Sequence, residues 1–124
     1  MDRQALLDNF VKAVNGKGRA VNKNALCSYF LEGHPGCAIG CQPGFREKFK
    51  SKLPDEGGIP VHFTGPYRKD LKEFFGIESG GEGVRFLFSL QQLHDIRDNW
   101  TGNYLRAEVL EEFCHEEGLE VPIP

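Results

Sequence analysis

The chain of 124 residues has one Met, one Trp and no apolar run near the roughly 20 residues that a membrane-spanning helix requires. Its first residues mix Asp2 and Arg3 with Ala5, Leu6 and Leu7. They lack the basic flank, apolar stretch and small-residue cleavage site of a secretory signal. Neither G-x-G-x-x-G nor Gly-Lys-Ser/Thr occurs, which removes the dinucleotide fingerprint and the P-loop. No Cys-x-x-Cys knuckle is present, and there is no internal repeat or low-complexity tract. A strong excess of basic residues is also missing, so a nucleic-acid partner is not expected. With neither leader nor span, the expected location is the cytoplasm, where the four cysteines stay as thiols.

What is present fits one folded domain over residues 1–124. Hydrophobic residues make up 40% and charged residues 27%, ordinary values that speak against disorder. Ten Phe promise a core built on rigid rings. The net charge of −3 conceals an uneven distribution. Residues 1–53 hold nine Lys/Arg against four Asp/Glu, whereas residues 54–124 hold six against fourteen.

Leu6, Leu7, Phe10, Val11 and Val14 recur at helical spacing after Asp2, a good N-cap, and the run ends at Asn15-Gly16. Residues 25–31 and 37–41 read as two strands about the turn Glu32–Gly36. Phe45, Phe49 and Leu53 lie four apart among Arg46, Lys48, Lys50 and Lys52, giving a short basic amphipathic helix. Residues 59–63 form a short extended piece, and Pro66 opens a helix that ends at Phe74-Phe75-Gly76. Leu87, Leu90, Leu93, His94 and Arg97 favour helix over strand for residues 84–98. A last helix, about 103–117, is stopped by Gly118. The expected fold class is α+β: a mainly helical domain of four to five helices with a small antiparallel hairpin at residues 25–41.

In that hairpin Cys27 faces Cys41, and Cys27, Tyr29, Leu31, Cys37, Ile39 and Cys41 share one face. Cys37 and Cys41, four apart on a straight strand, sit roughly 13 Å from each other. Two thiolates on one tetrahedral zinc must approach to about 4 Å, so only a sharp bend at Gly40 lets both hold one ion. A structural zinc would draw on Cys27 and Cys41 with His94 or Cys37. A thiol enzyme would use Cys37 as nucleophile and His94 as base, with Asp95 or Asp98 orienting the ring. Asp95, the immediate neighbour, points about 100° away from His94 around the helix. Against both stands the ordinary use of buried cysteine as a small hydrophobe and of an inward histidine as a core group held by hydrogen bonds. His34, in the turn beside Pro35, is expected at the surface.

The strings Cys27-x-Tyr29, Gly36-Cys37-Ala38-Ile39-Gly40-Cys41, Leu90-Gln91-Gln92-Leu93-His94-Asp95 and Gly118-Leu119-Glu120-Val121-Pro122 follow one another along the chain. In them it resembles a family of short uncharacterised proteins found in bacterial and tailed-phage genomes. Residues 42–83 fit that pattern least. The resemblance implies an origin rather than a mechanism.

Three functions follow as expectations. The first is a non-catalytic accessory protein of phage or bacterial origin that binds a protein partner, with Arg46, Lys48, Lys50 and Lys52 as its basic face. The second is a thiol-dependent hydrolase or deamidase built on Cys37, His94 and Asp95. The third is a small zinc-binding protein; the first two need no cofactor.

Overall fold

The structure is a computed structural model, and it describes residues 1–22, 27–55, 63, 65–77 and 81–122. Five α-helices are seen among these residues: α1 (Arg3–Val14), α2 (Phe45–Phe49), α3 (Arg68–Phe75), α4 (Gly81–Asp95) and α5 (Ala107–Glu117). A 3-10 turn at Arg97–Asn99 and a two-stranded antiparallel pair, β1 (Trp100–Thr101) with β2 (Tyr104–Leu105), join α4 to α5. The domain is thus mainly helical α+β, as the periodicities predict.

Helix boundaries follow local chemistry. The Asp2 side chain accepts from the Ala5 N–H at 3.0 Å and opens α1. Gly76 and Gly118 end α3 and α5 in the left-handed region, at φ of 66° and 68°, where a Cβ would be strained. Pro66 does not open α3; it lies in the preceding turn, and Tyr67 is the N-cap. α4 ends at Asp95, three residues earlier than its apolar period predicts. Three side chains take its last carbonyls there: Asn99 Nδ2 donates to Leu93 O at 3.2 Å, Trp100 Nε1 to His94 O at 2.9 Å, and Arg19 Nη1 to Asp95 O at 3.0 Å. The chain then turns into β1 and β2, pairing Trp100 with Leu105 and Thr101 with Tyr104, so α5 begins at Ala107 rather than near 103.

The antiparallel pair therefore sits at 100–105, and no strand occurs among the described residues of 27–41; Ala25 and Leu26 lie outside the described residues. Cys27 bridges Val21, not Cys41. The one-sided face of a strand does not form, since Ser28, Ala38 and Gly40 are buried beside Tyr29, Cys37 and Ile39. Gly36 has φ of 107°, and the 37–41 segment closes a helical turn with the Cys41 N–H donating to Cys37 O at 2.9 Å. Gly40 lies flat on the backbone of Tyr29: a Cβ there would come within 2.8 Å of the Tyr29 carbonyl carbon. A strand ladder is replaced by Asp55, whose carboxylate accepts from Ser28 Oγ at 2.6 Å and the Phe30 N–H at 2.8 Å. The expected extended piece at 59–63 lies outside the described residues except for Phe63, which is helical and buried.

Two apolar clusters fill the interior, and α4 divides them. Leu87 faces a Phe-rich cluster made by Tyr29, Ile39, Phe45, Phe49, Leu71 and Phe75. Phe86, Leu90 and Leu93 face Leu7, Phe10, Val11 and Val14 of α1 with Trp100 and Leu110. Phe45 anchors the first cluster, its ring centroid 4.8 Å from Phe49, 5.6 Å from Phe74 and 5.8 Å from Tyr29.

Candidate functional site

Chemistry-bearing side chains gather at the C-terminal end of α4. Gln91 and Asp95 are four apart, so they share a helix face, and Gln91 Nε2 donates to Asp95 Oδ1 at 2.7 Å. His94 is fully buried. Its Nδ1 lies 2.8 Å from Asp95 Oδ1, so the adjacent pair does meet, contrary to the expected 100° divergence: Asp95 is the last helical residue and its side chain turns back over the end. Asp98, the other candidate orienter, stands exposed in the 3-10 turn and makes no bond to His94.

The other ring nitrogen fixes the tautomer. Nε2 of His94 accepts the Ala20 N–H at 2.9 Å. A backbone amide can only donate, so Nε2 carries the lone pair and Nδ1 carries the proton given to Asp95. Phe10 and Trp100 close edge-on over the imidazole, each with its centroid 6.0 Å away.

Cys27, held by its bridge to Val21, supplies the third member. Its thiol faces the Asp95 carboxylate. A Cys27 sulfur, a His94 nitrogen and an Asp95 oxygen lie within 4.8 Å of one another. Burial and then the Asp95 carboxylate push the Cys27 thiol up to about 12. Burial would raise Asp95 as well, but the side chains of His94, Cys27 and Gln91 outweigh it and hold the carboxyl below its ordinary value.

Cys37, the nucleophile expected from sequence, is buried nearby. Desolvation pushes it up to about 12, although the Gly40 N–H donates to its sulfur at 3.4 Å. Among the described residues no hydrogen bond joins Cys37 to His94. Cys41 lies one helical turn from Cys37 rather than opposite Cys27, and burial raises its thiol too. His34 is half-buried rather than a surface group: Nε2 donates to Gly18 O at 3.0 Å, and Nδ1 accepts the Gly36 N–H at 2.9 Å.

The basic face is only partly free. Arg46 Nη2 donates to Leu31 O and His34 O, both at 3.0 Å, so this guanidinium ties the 31–34 turn to α2. Lys48, Lys50 and Lys52 are exposed, and no acidic side chain among the described residues pairs with them. Sequence reasoning passes over Ala20, Gln91 and Asp55. Gln91 carries a signal in its spacing to Asp95; the Ala20 amide carries none.

As assembled, the cluster is poorly suited to attack on a substrate. A nucleophilic thiol needs a base that can take its proton and surroundings that favour the thiolate. Cys27 instead faces a carboxylate held ionised, far too weak a base for a thiol raised to about 12. A zinc ligand histidine normally gives its outer N–H to an acceptor, but here the nitrogen away from Cys27 and Asp95 faces a donor. Binding an ion through Nδ1 would require that nitrogen to lose its proton while Nε2 stays unprotonated. No family model, curated protein or solved structure matches the chain. No helix among the described residues is long and apolar enough to cross a membrane.

Proposed function

We propose that the chain is a non-catalytic accessory protein that acts by binding a protein partner of acidic surface, with Lys48, Lys50 and Lys52 as the contact face. One observation carries the non-catalytic reading: both nitrogens of His94 are committed inside the fold, to the Ala20 amide and to Asp95. The polar cluster then reads as a lock between α4 and the segments around Ala20 and Cys27. Its raised thiols and occupied imidazole speak against the hydrolase reading through Cys37, His94 and Asp95, and the donor at Nε2 weighs against zinc.

The three lysines support the binding half. Lys48 lies on α2 and Lys50 and Lys52 in the turn that follows it, a segment pinned by Phe45, Phe49 and Arg46, so the positive charge is presented on a fixed support. The resemblance to short phage and bacterial proteins fits an accessory role. Affinity capture from bacterial lysate, run beside the variant K48E/K50E/K52E, tests the proposal. A species retained by the parent chain, released by salt and lost in the variant is the expected outcome. Equal retention by both chains, or nothing retained by either, overturns it.

A further inference from the structure

A second positive site lies where Arg19 of the basic half meets Arg97 and Arg106 of the acidic half. Arg19, Arg97 and Arg106 line one polar cleft of about 390 Å³ together with Asp98, Trp100 and Gly102. Three guanidiniums against one carboxylate give an excess of positive charge, although residues 54–124, which supply Arg97 and Arg106, hold fourteen acidic and six basic side chains in all. The carbonyl end of α4 accounts for Arg19, which donates there. It does not account for the others. Among the described residues the Arg97 side chain makes no hydrogen bond or ion pair, and Arg106 pairs with Glu108 alone, at 3.7 Å with both groups largely exposed. Two of the three guanidiniums are thus left with little or no partner inside the fold and are available to an anion.

The walls are held in place. The Trp100 indole donates to His94 O, which fixes the floor at 2.9 Å. The Arg106 N–H donates to Asn99 O at 2.8 Å, and the Gly18 N–H to Asn103 O at 3.2 Å, so the three segments that carry the arginines are stitched to one another. Gly102, at φ of 61°, has open space on its Cβ side, leaving backbone accessible at the rim. Arg106 is also the N-cap of α5 and gives it no side-chain cap, so the positive end of that helix begins at the cleft wall. Planar guanidinium forks match the paired oxygens of phosphate, and the volume falls at the small end of ligand pockets. We infer that this cleft binds a small phosphate-bearing molecule, of one or two phosphate groups, between Arg97 and Arg106 with Arg19 beneath.

Trp100 is the chain's single tryptophan and lines this cleft, so its fluorescence is one readout of binding there. Orthophosphate, pyrophosphate and glycerol phosphate are titrated at constant ionic strength, with calorimetry in parallel because the indole points inward. Saturable binding of at least one of the three is expected, and whichever binds separates free phosphate from an ester. R97A and R97A/R106A should weaken it by roughly tenfold for each arginine removed, while K48E/K50E/K52E leaves it unchanged. Both arginines are exposed, so circular dichroism should show the variants folded; R97A, which breaks no hydrogen bond or ion pair among the described residues, remains informative on its own. No saturation by either method, the same response to sodium chloride, or equal affinity in R97A overturns the inference.

Discussion

Replacing His94 by leucine tests the closed state of the polar cluster most directly. The side chain is fully buried, and leucine is near enough in volume that repacking against Phe10 and Trp100 should cost less than about 1.5 kcal/mol. The main loss is the acceptor at Nε2. Ala20 is itself fully buried, so its N–H is left without a partner and without water, at a cost of about 1–3 kcal/mol. Asp95 also loses the Nδ1 donor, but it reaches solvent and water makes up part of that bond. Together these give a destabilisation of about 2–4 kcal/mol out of a total of roughly 6–18 kcal/mol for a domain of this size. In urea, with an m-value near 2 kcal/mol/M, the midpoint should fall by about 1–2 M. H94Q supplies the control, because its amide oxygen can reach the Ala20 amide and should recover about half of the loss. Leucine within ~0.2 M of the parent chain, or glutamine no better than leucine, would refute the reasoning and leave Nε2 open for chemistry.

Three further outcomes are expected. G40A should be among the most damaging single-methyl changes, costing about 3 kcal/mol or more, because the new Cβ lands on the Tyr29 backbone rather than on a movable side chain; soluble yield and thermal midpoint read this out, and a near-neutral G40A would show that the two segments do not touch. Alkylation by iodoacetamide at neutral pH, followed by mass spectrometry, should leave Cys37 unlabelled in the folded chain and label Cys27 more slowly than a free thiol, since burial raises both; rapid labelling of Cys37 would revive the hydrolase reading. Burial lowers the pKa of His34, so between its folded and unfolded values the unfolded chain binds more protons and stability rises with pH. Its contribution is complete above about 6.5 and drains away as pH falls below that, with Asp95 adding a second loss beneath the carboxylate range; H34Q should flatten the first part of the urea-midpoint profile, and an unchanged slope would count against it.

The parts of the fold legible in sequence are those fixed by neighbours in the chain. Asp2 caps its own helix, Gly76 and Gly118 stop theirs, and the period of Leu87, Leu90 and Leu93 places α4 against the core. The hairpin at 27–41 fails for a nonlocal reason. Alternating apolar residues specify a strand only if another strand is available to pair, and here Asp55, 25 residues from Phe30, takes the Phe30 N–H and the Ser28 hydroxyl instead. Nothing in Asp55 marks it for that role. The site was legible in part as well: Gln91 and Asp95 stand four apart on one helix face, whereas the meeting of His94 with its neighbour Asp95 runs against the helical spacing. Their partners on the other side are a backbone amide and a cysteine carried in from a loop, and neither leaves a pattern along the chain.

The end of α4 explains why a fold with so little sheet can hold its loops. Carbonyls of Leu93, His94 and Asp95 are taken by Asn99, Trp100 and Arg19, while the His94 side chain takes the Ala20 amide and that of Asp95 faces Cys27. Segments before residue 28 and after residue 96 thus hang on one helix terminus, which satisfies buried groups that a strand ladder would otherwise serve. The same bonds set Arg19 and Trp100 into the wall of the arginine cleft. Loss of the His94 acceptor should therefore loosen the loop that carries Arg19 and weaken phosphate binding, even though His94 lies outside the cleft. The lysine face of α2 and the turn after it rests on Phe45, Phe49 and Arg46 instead, so capture of a protein partner should survive the same change.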